Sequence, residues 1–335
     1  MTLVSDLGEF GLIRRWTEML GTSAGRGVVV GIGDDAAVLE AGGGKLLLVT
    51  TDMLVEDVHF RRSYTPMDAL GWKAMAASVS DIAAMGGVPT FAFVSVGLPV
   101  DAQLDAADDL YKGLAEMAGE AGVSIVGGDT VSSGKLVINV TLMGEVEPQF
   151  LALRSGARPG DALVVTGTLG DAGAGLELLQ RGLAAGSAHR CLDAHLRPRP
   201  RLAEARAAVA TGGVHAMIDI SDGLSGDLRH VCSMSGVGAV VDEGAIPISG
   251  EARRVARDTG LDVLNLALHA GEDYELLMAT AADAAEEVCA AVRRCGRVGA
   301  AVIGRIVEGT ELVLHRTDGT EVPLHHGAWQ HFAEA

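Results

Sequence analysis

The 335-residue chain is 48% hydrophobic and carries a formal charge of −18, with 44 acidic against 26 basic side chains. That apolar content excludes a disordered chain, and the acidic excess argues against a nucleic-acid partner, which needs clustered Lys and Arg. Aromatics at 4% leave the core to Ala, Val, Leu, Ile and Met, and the 45 glycines, about twice the usual share, announce many tight turns.

Met1–Phe10 has no basic n-region, and no apolar run approaches the roughly 18 residues that span a bilayer. Cys191, Cys232, Cys289 and Cys295 show no CxxC spacing and read as free thiols. These features together predict a cytoplasmic protein with no membrane partner.

In chain order, Val28–Ile32 is a short β-rich run that ends in Gly31-Ile32-Gly33-Asp34-Asp35, and Lys45–Thr51 is another that ends in Thr51-Asp52. Thr65-Pro66 reads as a helix start, with Thr as N-cap and Pro in the first helical position. The Ala-rich helix then runs to about Met85 and stops at Gly86-Gly87. Phe91–Leu98 is a strand, and Asp101–Gly122 has the three-and-four spacing of an amphipathic helix. Val123–Val126 reads as a buried strand before Gly127-Gly128-Asp129-Thr130, and Leu136–Glu145 as its successor. A turn-rich stretch from Glu147-Pro148 to Pro159-Gly160 marks the domain boundary, giving domains 1–148 and 149–335. In the second, strand Ala162–Thr166 precedes a Gly-rich turn and a helix to about Gly182. His215–Ile220 leads into Ser221-Asp222-Gly223, Glu251–Thr259 is helical, and Val302–Ile306 and Glu311–His315 are late strands. The chain is a mixed α/β, or α+β, protein in two halves.

The recurring feature is an apolar β-run ending in Asp beside Gly, Ser or Thr, at Asp34/Asp35, Asp52, Asp129 and Asp219/Asp222, with Asp81 added from the Ala-rich helix. Taken singly, each reads more readily as a turn former or helix cap. Five such sites in one chain point instead to a shared divalent-cation site, because Mg²⁺ takes hard oxygen ligands from a few carboxylates plus substrate phosphates. Phosphoryl transfer fits, since it needs positioning and charge neutralisation more than a protein nucleophile. A P-loop is disfavoured: the nearest approach, Gly44-Lys45-Leu46, lacks the hydroxyl residue. There is no dinucleotide fingerprint, nucleophile elbow or H-E-x-x-H.

The chain resembles the thiamine-monophosphate kinases in Gly31–Ala36, Thr51–Val55 with His59-Phe60, Ser80–Gly86, Gly127–Thr130, Arg154–Asp161, Asp219–Leu224, Gly271–Leu276 and the ending Trp329–Phe332. The matches run in order over nearly the whole chain. The resemblance implies an aminoimidazole ribonucleotide synthetase-like fold whose N-terminal β-rich halves pair into a barrel across a homodimer, with a C-terminal α/β half completing the site. It implies direct transfer of the ATP γ-phosphoryl group to thiamine monophosphate, assisted by several Mg²⁺ ions. Carried over position by position, the metal ligands are Asp35, Thr50, Thr51, Asp52, Asp81, Asp129, Asp219 and Asp222. Gly128, Asp129, Arg154 and Ser221 would contact ATP, and His59, Glu272 and Trp329 the thiamine substrate, with no catalytic side-chain nucleophile. On its own, Trp329 reads more readily as a hydrophobic clasp, His59 as a structural histidine, and Glu272-Asp273 as a helix-start acid pair. Asp57 stands where the family usually has Gly, and is expected to point to solvent. The alternatives are a sister ATP-dependent synthetase or a non-catalytic thiamine-phosphate or nucleotide sensor. Selenophosphate synthesis and hydrogenase maturation are disfavoured, for want of an N-terminal and a C-terminal cysteine respectively.

Overall fold

The computed structural model describes residues 7–20, 27–183, 186, 188–325 and 327. Two sheets carry the chain. The first is built from β1 (Val28–Val30), β2 (Ala37–Glu40), β3 (Leu46–Val55), β4 (Val88–Leu98), β5 (Ser124–Ser132) and β6 (Val137–Val146), in the order β1-β2-β3-β6-β4-β5. Only the β4–β5 pair is parallel. The helices of this half are α1 (Gly8–Leu20), α2 (Met67–Ala84) and α3 (Leu104–Ala121).

The second sheet holds β7 (Ala162–Thr166), β8 (Val214–Asp219), β9 (Gly238–Asp242), β10 (Leu276–Thr280), β11 (Ala300–Val307), β12 (Leu312–His315) and β13 (Glu321–Pro323). Its order is β13-β12-β9-β11-β7-β10-β8. Around it lie α4 (Asp171–Gln180), α5 (His189–Leu196), α6 (Leu202–Val209), α7 (Leu224–Ser235), α8 (Gly250–Thr259), α9 (Val263–His269) and α10 (Ala285–Arg294). No helix among the described residues is long and apolar enough to cross a membrane.

The central helix is α2, with 14 of its 18 residues buried. A helix so apolar on every side belongs inside a protein, and α2 packs on the first sheet and α3 while touching α5, α6 and β8 of the second half. Glycine on both partners sets the α2–α3 approach: a Cβ at Gly71 would sit 2.0 Å from the Leu110 carbonyl oxygen, and one at Gly113 would sit 1.8 Å from that of Asp68. The first core gathers Leu48, Leu70, Met75, Ile82, Leu110, Leu114, Ile138 and Leu142 between sheet and helices. Aliphatic side chains dominate it, with Phe60 and Trp72 its only fully buried aromatics among the described residues.

Several elements differ from expectation. The helix after Thr65-Pro66 begins one residue later, because Pro66, at ψ 142°, takes the cap role itself and its carbonyl accepts from Leu70 N–H at 2.9 Å. The Thr65 hydroxyl is buried and caps nothing. Strand β3 does not stop at Asp52 but pairs with β6 as far as Val55–Val137, so Asp52 sits inside a strand. Strand β5 is not buried: it is the sheet edge, and it continues through Gly127-Gly128-Asp129 to Ser132. Asp57 has φ +66°, the left-handed region where glycine is at ease. Its side chain is half exposed and paired with Lys135 at 3.2 Å, as expected of a solvent-facing residue.

Candidate active site

Strand periodicity starts the site. Alternation along β3 turns Thr50, Asp52 and Leu54 towards α2, and leaves Thr51 and Met53 on the outer face. Helical periodicity answers it: Ser78 and Asp81, three residues apart on α2, share one face. Ser78 Oγ donates to Asp52 at 2.7 Å, and Thr50 Oγ1 donates to Asp81 at 2.5 Å. The end of β8 brings Asp219 to the same point, where it accepts from Ser80 Oγ at 2.6 Å. Asp35 arrives from the turn after β1. Asp34 shapes that turn by accepting from Asp35 N–H at 3.1 Å and from Arg154 N–H at 3.2 Å.

Ligand oxygens of Asp35, Asp81 and Asp219 all lie within 4.8 Å of one another. The Arg154 guanidinium forks onto Asp35, with Nε at 3.0 Å and Nη2 closer. The other Asp35 oxygen, Oδ2, is buried without a hydrogen-bond partner. Burial, only partly offset by Arg154, pushes Asp35 up to about 8. Burial likewise moves Asp219 to about 6 and Asp81 well above the usual carboxylate range, with neighbouring acids adding to the push on Asp81. Asp52 is raised by burial as well, against its hydrogen bond from Ser78. Carboxyls that sit close together, buried and reluctant to ionise, form a cage that a cation would relax.

Asp52 joins the acids to a cleft of about 430 Å³, whose lining also includes Thr51, His59, Ser221, Asp222 and Glu272. Its remaining walls are Glu9 of α1, Ala77, Leu176, Tyr274 and neighbouring aliphatic side chains. Asp222 is pushed to about 6 by burial and by Glu9, against Arg154. His59 Nδ1 accepts from Val55 N–H at 3.0 Å, which fixes its ring beside the cleft. The Asp222 turn is held from behind by Asp227, whose buried carboxylate accepts from the Asp222 and Gly223 N–H groups at 3.2 and 3.1 Å.

Asp35, Asp81 and Asp219 therefore converge, with Thr50, Asp52 and Arg154 around them, and Ser221, Asp222, His59 and Glu272 face the adjoining cleft. Thr51 borders the cleft but turns its hydroxyl away from it, and Gly128 and Asp129 stand apart. The Thr51 hydroxyl is on the outer sheet face, bonded to Thr141 Oγ1 at 3.1 Å and to Asn139. Asp52, Val140, Val94 and Gly128 lie in one line across the strands. That line spans three strand spacings, so Gly128 is about 14 Å from Asp52 within one chain. Asp129 follows it on the outer face, where its carboxylate caps Thr130 N–H at 2.9 Å. Trp329 lies outside the described residues. Ser80, Asp227, Lys73 and His195 were not anticipated, since nothing in their local pattern distinguishes them from helix-interior polar residues.

Two family models match: the AIR synthase related protein N-terminal domain over residues 33–146, and the C-terminal domain over residues 158–316. The chain is 37% identical over 332 residues to the thiamine-monophosphate kinase of Mycobacterium tuberculosis, covering 99% of this chain and 93% of that one. It is 39% identical over 276 residues to the thiamine-monophosphate kinase of Aquifex aeolicus, covering 82% and 86%. The solved structure of AaThiL complexed with AMPPCP and TMP superposes with a TM-score of 0.87 at 35% identity, over 99% of each chain. Matched in both halves, in sequence along its length and in fold, the chain belongs to the thiamine-monophosphate kinase family of AIR synthase related proteins.

Proposed function

We propose that the protein transfers the γ-phosphoryl group of ATP to the phosphate of thiamine monophosphate, giving thiamine diphosphate and ADP. The observation that carries this reading is the trio of buried aspartates beside Arg154, next to a cleft lined by Asp52, Asp222, Ser221, His59 and Glu272, which the family resemblance assigns to metal, ATP and the thiamine substrate. The AaThiL complex with AMPPCP and TMP supports it, because the chain follows that fold from end to end.

The donor set fits Mg²⁺: the oxygens are hard, one of them (Asp35 Oδ2) is buried with no partner, and the acids are raised by burial. Asp35, Asp52, Asp81, Asp219 and Asp222, with Thr50, would hold the ions, which when bound neutralise phosphate charge. The rest falls to the chain. The attacking oxygen belongs to the substrate's own phosphate, so the protein needs no nucleophile. Its task is to align two phosphate groups in line and keep water out. Arg154 supplies a fixed fork for phosphate charge as it exchanges part of its hold on Asp35. His59, Glu272 and, on the family pattern, Trp329 set the thiamine end.

The same reading includes a homodimer. The outer face of the first sheet exposes Met53, Phe91, Phe93 and Val131, an apolar strip beside the unpaired edge of β5. A second copy covering that strip would also give Gly128 and Asp129, distant from Asp52 within one chain, a place at the partner's site. The reading divides the chain at 148/149, between the two sheets, and places it in the cytoplasm with its four cysteines free. Incubation with γ-labelled ATP tests the transfer: label must appear in thiamine diphosphate. Label released only as inorganic phosphate would refute it.

A further inference from the structure

Behind the cleft lies a charged cluster to which the transfer chemistry gives no part. Lys73, on α2, is 2% exposed, and its ammonium lies 2.6 Å from Glu272 Oε1. His195, on α5 and equally buried, places Nδ1 3.1 Å from Glu272 Oε2, close but outside hydrogen-bond alignment, and Nδ1 has no other partner. Glu272 lines the cleft, whereas Lys73 and His195 do not. A lysine at that depth without a counter-charge would cost several kcal/mol, so the carboxylate and the ammonium need one another.

The loop that carries Glu272 is bent for the purpose. Glu272 and Tyr274 have φ of +58° and +48°, left-handed conformations that strain a non-glycine residue. Hydrogen bonds hold the bend: Glu272 N–H donates to Ser221 O at 2.7 Å and Tyr274 N–H to Ile220 O at 2.9 Å. Asp273 accepts from Gly170 N–H at 2.8 Å. Burial alone would raise the Glu272 carboxyl, but the charge of Lys73 and the contact with His195 hold it down at about 2. His195 is itself lowered by burial and by Lys73, so it stays neutral near pH 7.

We propose, resting on the kinase reading above, that Lys73 and His195 are positioning residues that hold Glu272 as a fixed, ionised carboxylate facing the cationic ring of the thiamine substrate. They act through Glu272 and touch neither substrate. Glu272 is part exposed at the cleft wall, and without them its side chain would be free to turn away from the cation it faces.

The test is a double-mutant cycle on the full chain, with the KM for thiamine monophosphate and for ATP read separately. Glu272→Gln and Lys73→Met are each expected to raise the KM for thiamine monophosphate at least tenfold, leaving that for ATP within twofold. The double variant is expected to match Glu272→Gln alone, because Lys73 has no other route to the substrate. Multiplied effects in the double variant, or a Lys73→Met enzyme with the parent's KM, would overturn the proposal. A Glu272→Gln enzyme that binds thiamine monophosphate as the parent does would instead refute the substrate role of Glu272, a separate result. If Lys73→Met alone does not fold, His195 decides. His195→Gln, which keeps a side-chain donor, is expected to stay within threefold of the parent, and His195→Leu to raise the same KM tenfold. Equal values for the two would overturn the positioning role.

Discussion

Replacing Asp219 with Asn separates what the acid cluster does for stability from what it does for function. Burial is the main cause of the raised pKa of Asp219, with Asp52 and Asp222 adding repulsion against the pull of Ser80 and Arg154. That pKa, about 6 against an ordinary 3.8, corresponds to a penalty of about 3 kcal/mol at neutral pH. The sign follows from proton uptake: the folded state holds this proton more tightly than the unfolded one. Metal-free protein therefore loses stability as pH rises from near 3.8 through about 6. Asp219→Asn removes that loss but leaves Ser80 Oγ only a neutral oxygen to donate to, a weakening of about 1 kcal/mol. The variant is expected to be about 2 kcal/mol more stable than the parent in chelator at pH 7, yet to gain less stability from added Mg²⁺ and to turn over at least a hundredfold more slowly. Guanidinium unfolding with and without Mg²⁺, beside a turnover assay, measures all three. A variant less stable than the parent in chelator, and stabilised equally by Mg²⁺, would refute the view of Asp219 as one of a repelling set of cation ligands.

If the parent chain sediments as the proposed homodimer, Phe93→Asp, which puts a charge in the middle of the exposed sheet strip, is expected to make it a monomer at micromolar concentration; a monomeric parent or an unchanged dimer would refute that interface. Gly113→Ala improves helix propensity, but its Cβ would meet the Asp68 carbonyl oxygen at 1.8 Å, so a loss of about 1–3 kcal/mol is expected on thermal or denaturant unfolding. A gain in stability would contradict the close α2–α3 approach. Burial pushes the Cys191 and Cys232 thiols up to about 12, so iodoacetamide at pH 8 is expected to leave both unmodified in folded protein. Rapid labelling of either would contradict their placement.

Strands with strong apolar runs, such as Ala162–Thr166, and the Ala-rich α2 were legible because period and punctuation agreed. The acids were legible too, as a repeated strand-then-Asp pattern, and three of them meet in space. What sequence concealed was geometry between distant elements. Asp52 read as a strand-end residue because Thr51-Asp52 interrupts an apolar run, but ladder pairing with β6 carries the strand three residues further. β10 went unread, since Leu276–Thr280 follows directly on the acidic Glu272-Asp273-Tyr274-Glu275 turn with no glycine or proline to mark its start. Lys73 could not be distinguished from a surface lysine until the loop at Glu272, two hundred residues later, folded against it. The outward turn of Thr51 follows from strand alternation once Asp52 faces inward, so that signal was present in the sequence.

The central claim is that this cleft phosphorylates a thiamine phosphate with the help of its clustered aspartates. Offering thiamine, thiamine monophosphate and aminoimidazole precursors side by side, with ATP and with or without chelator, tests it most directly. Thiamine diphosphate formed from thiamine monophosphate alone, and abolished by chelation, is the predicted result. Turnover that survives chelation, or that prefers an aminoimidazole precursor, would contradict the account.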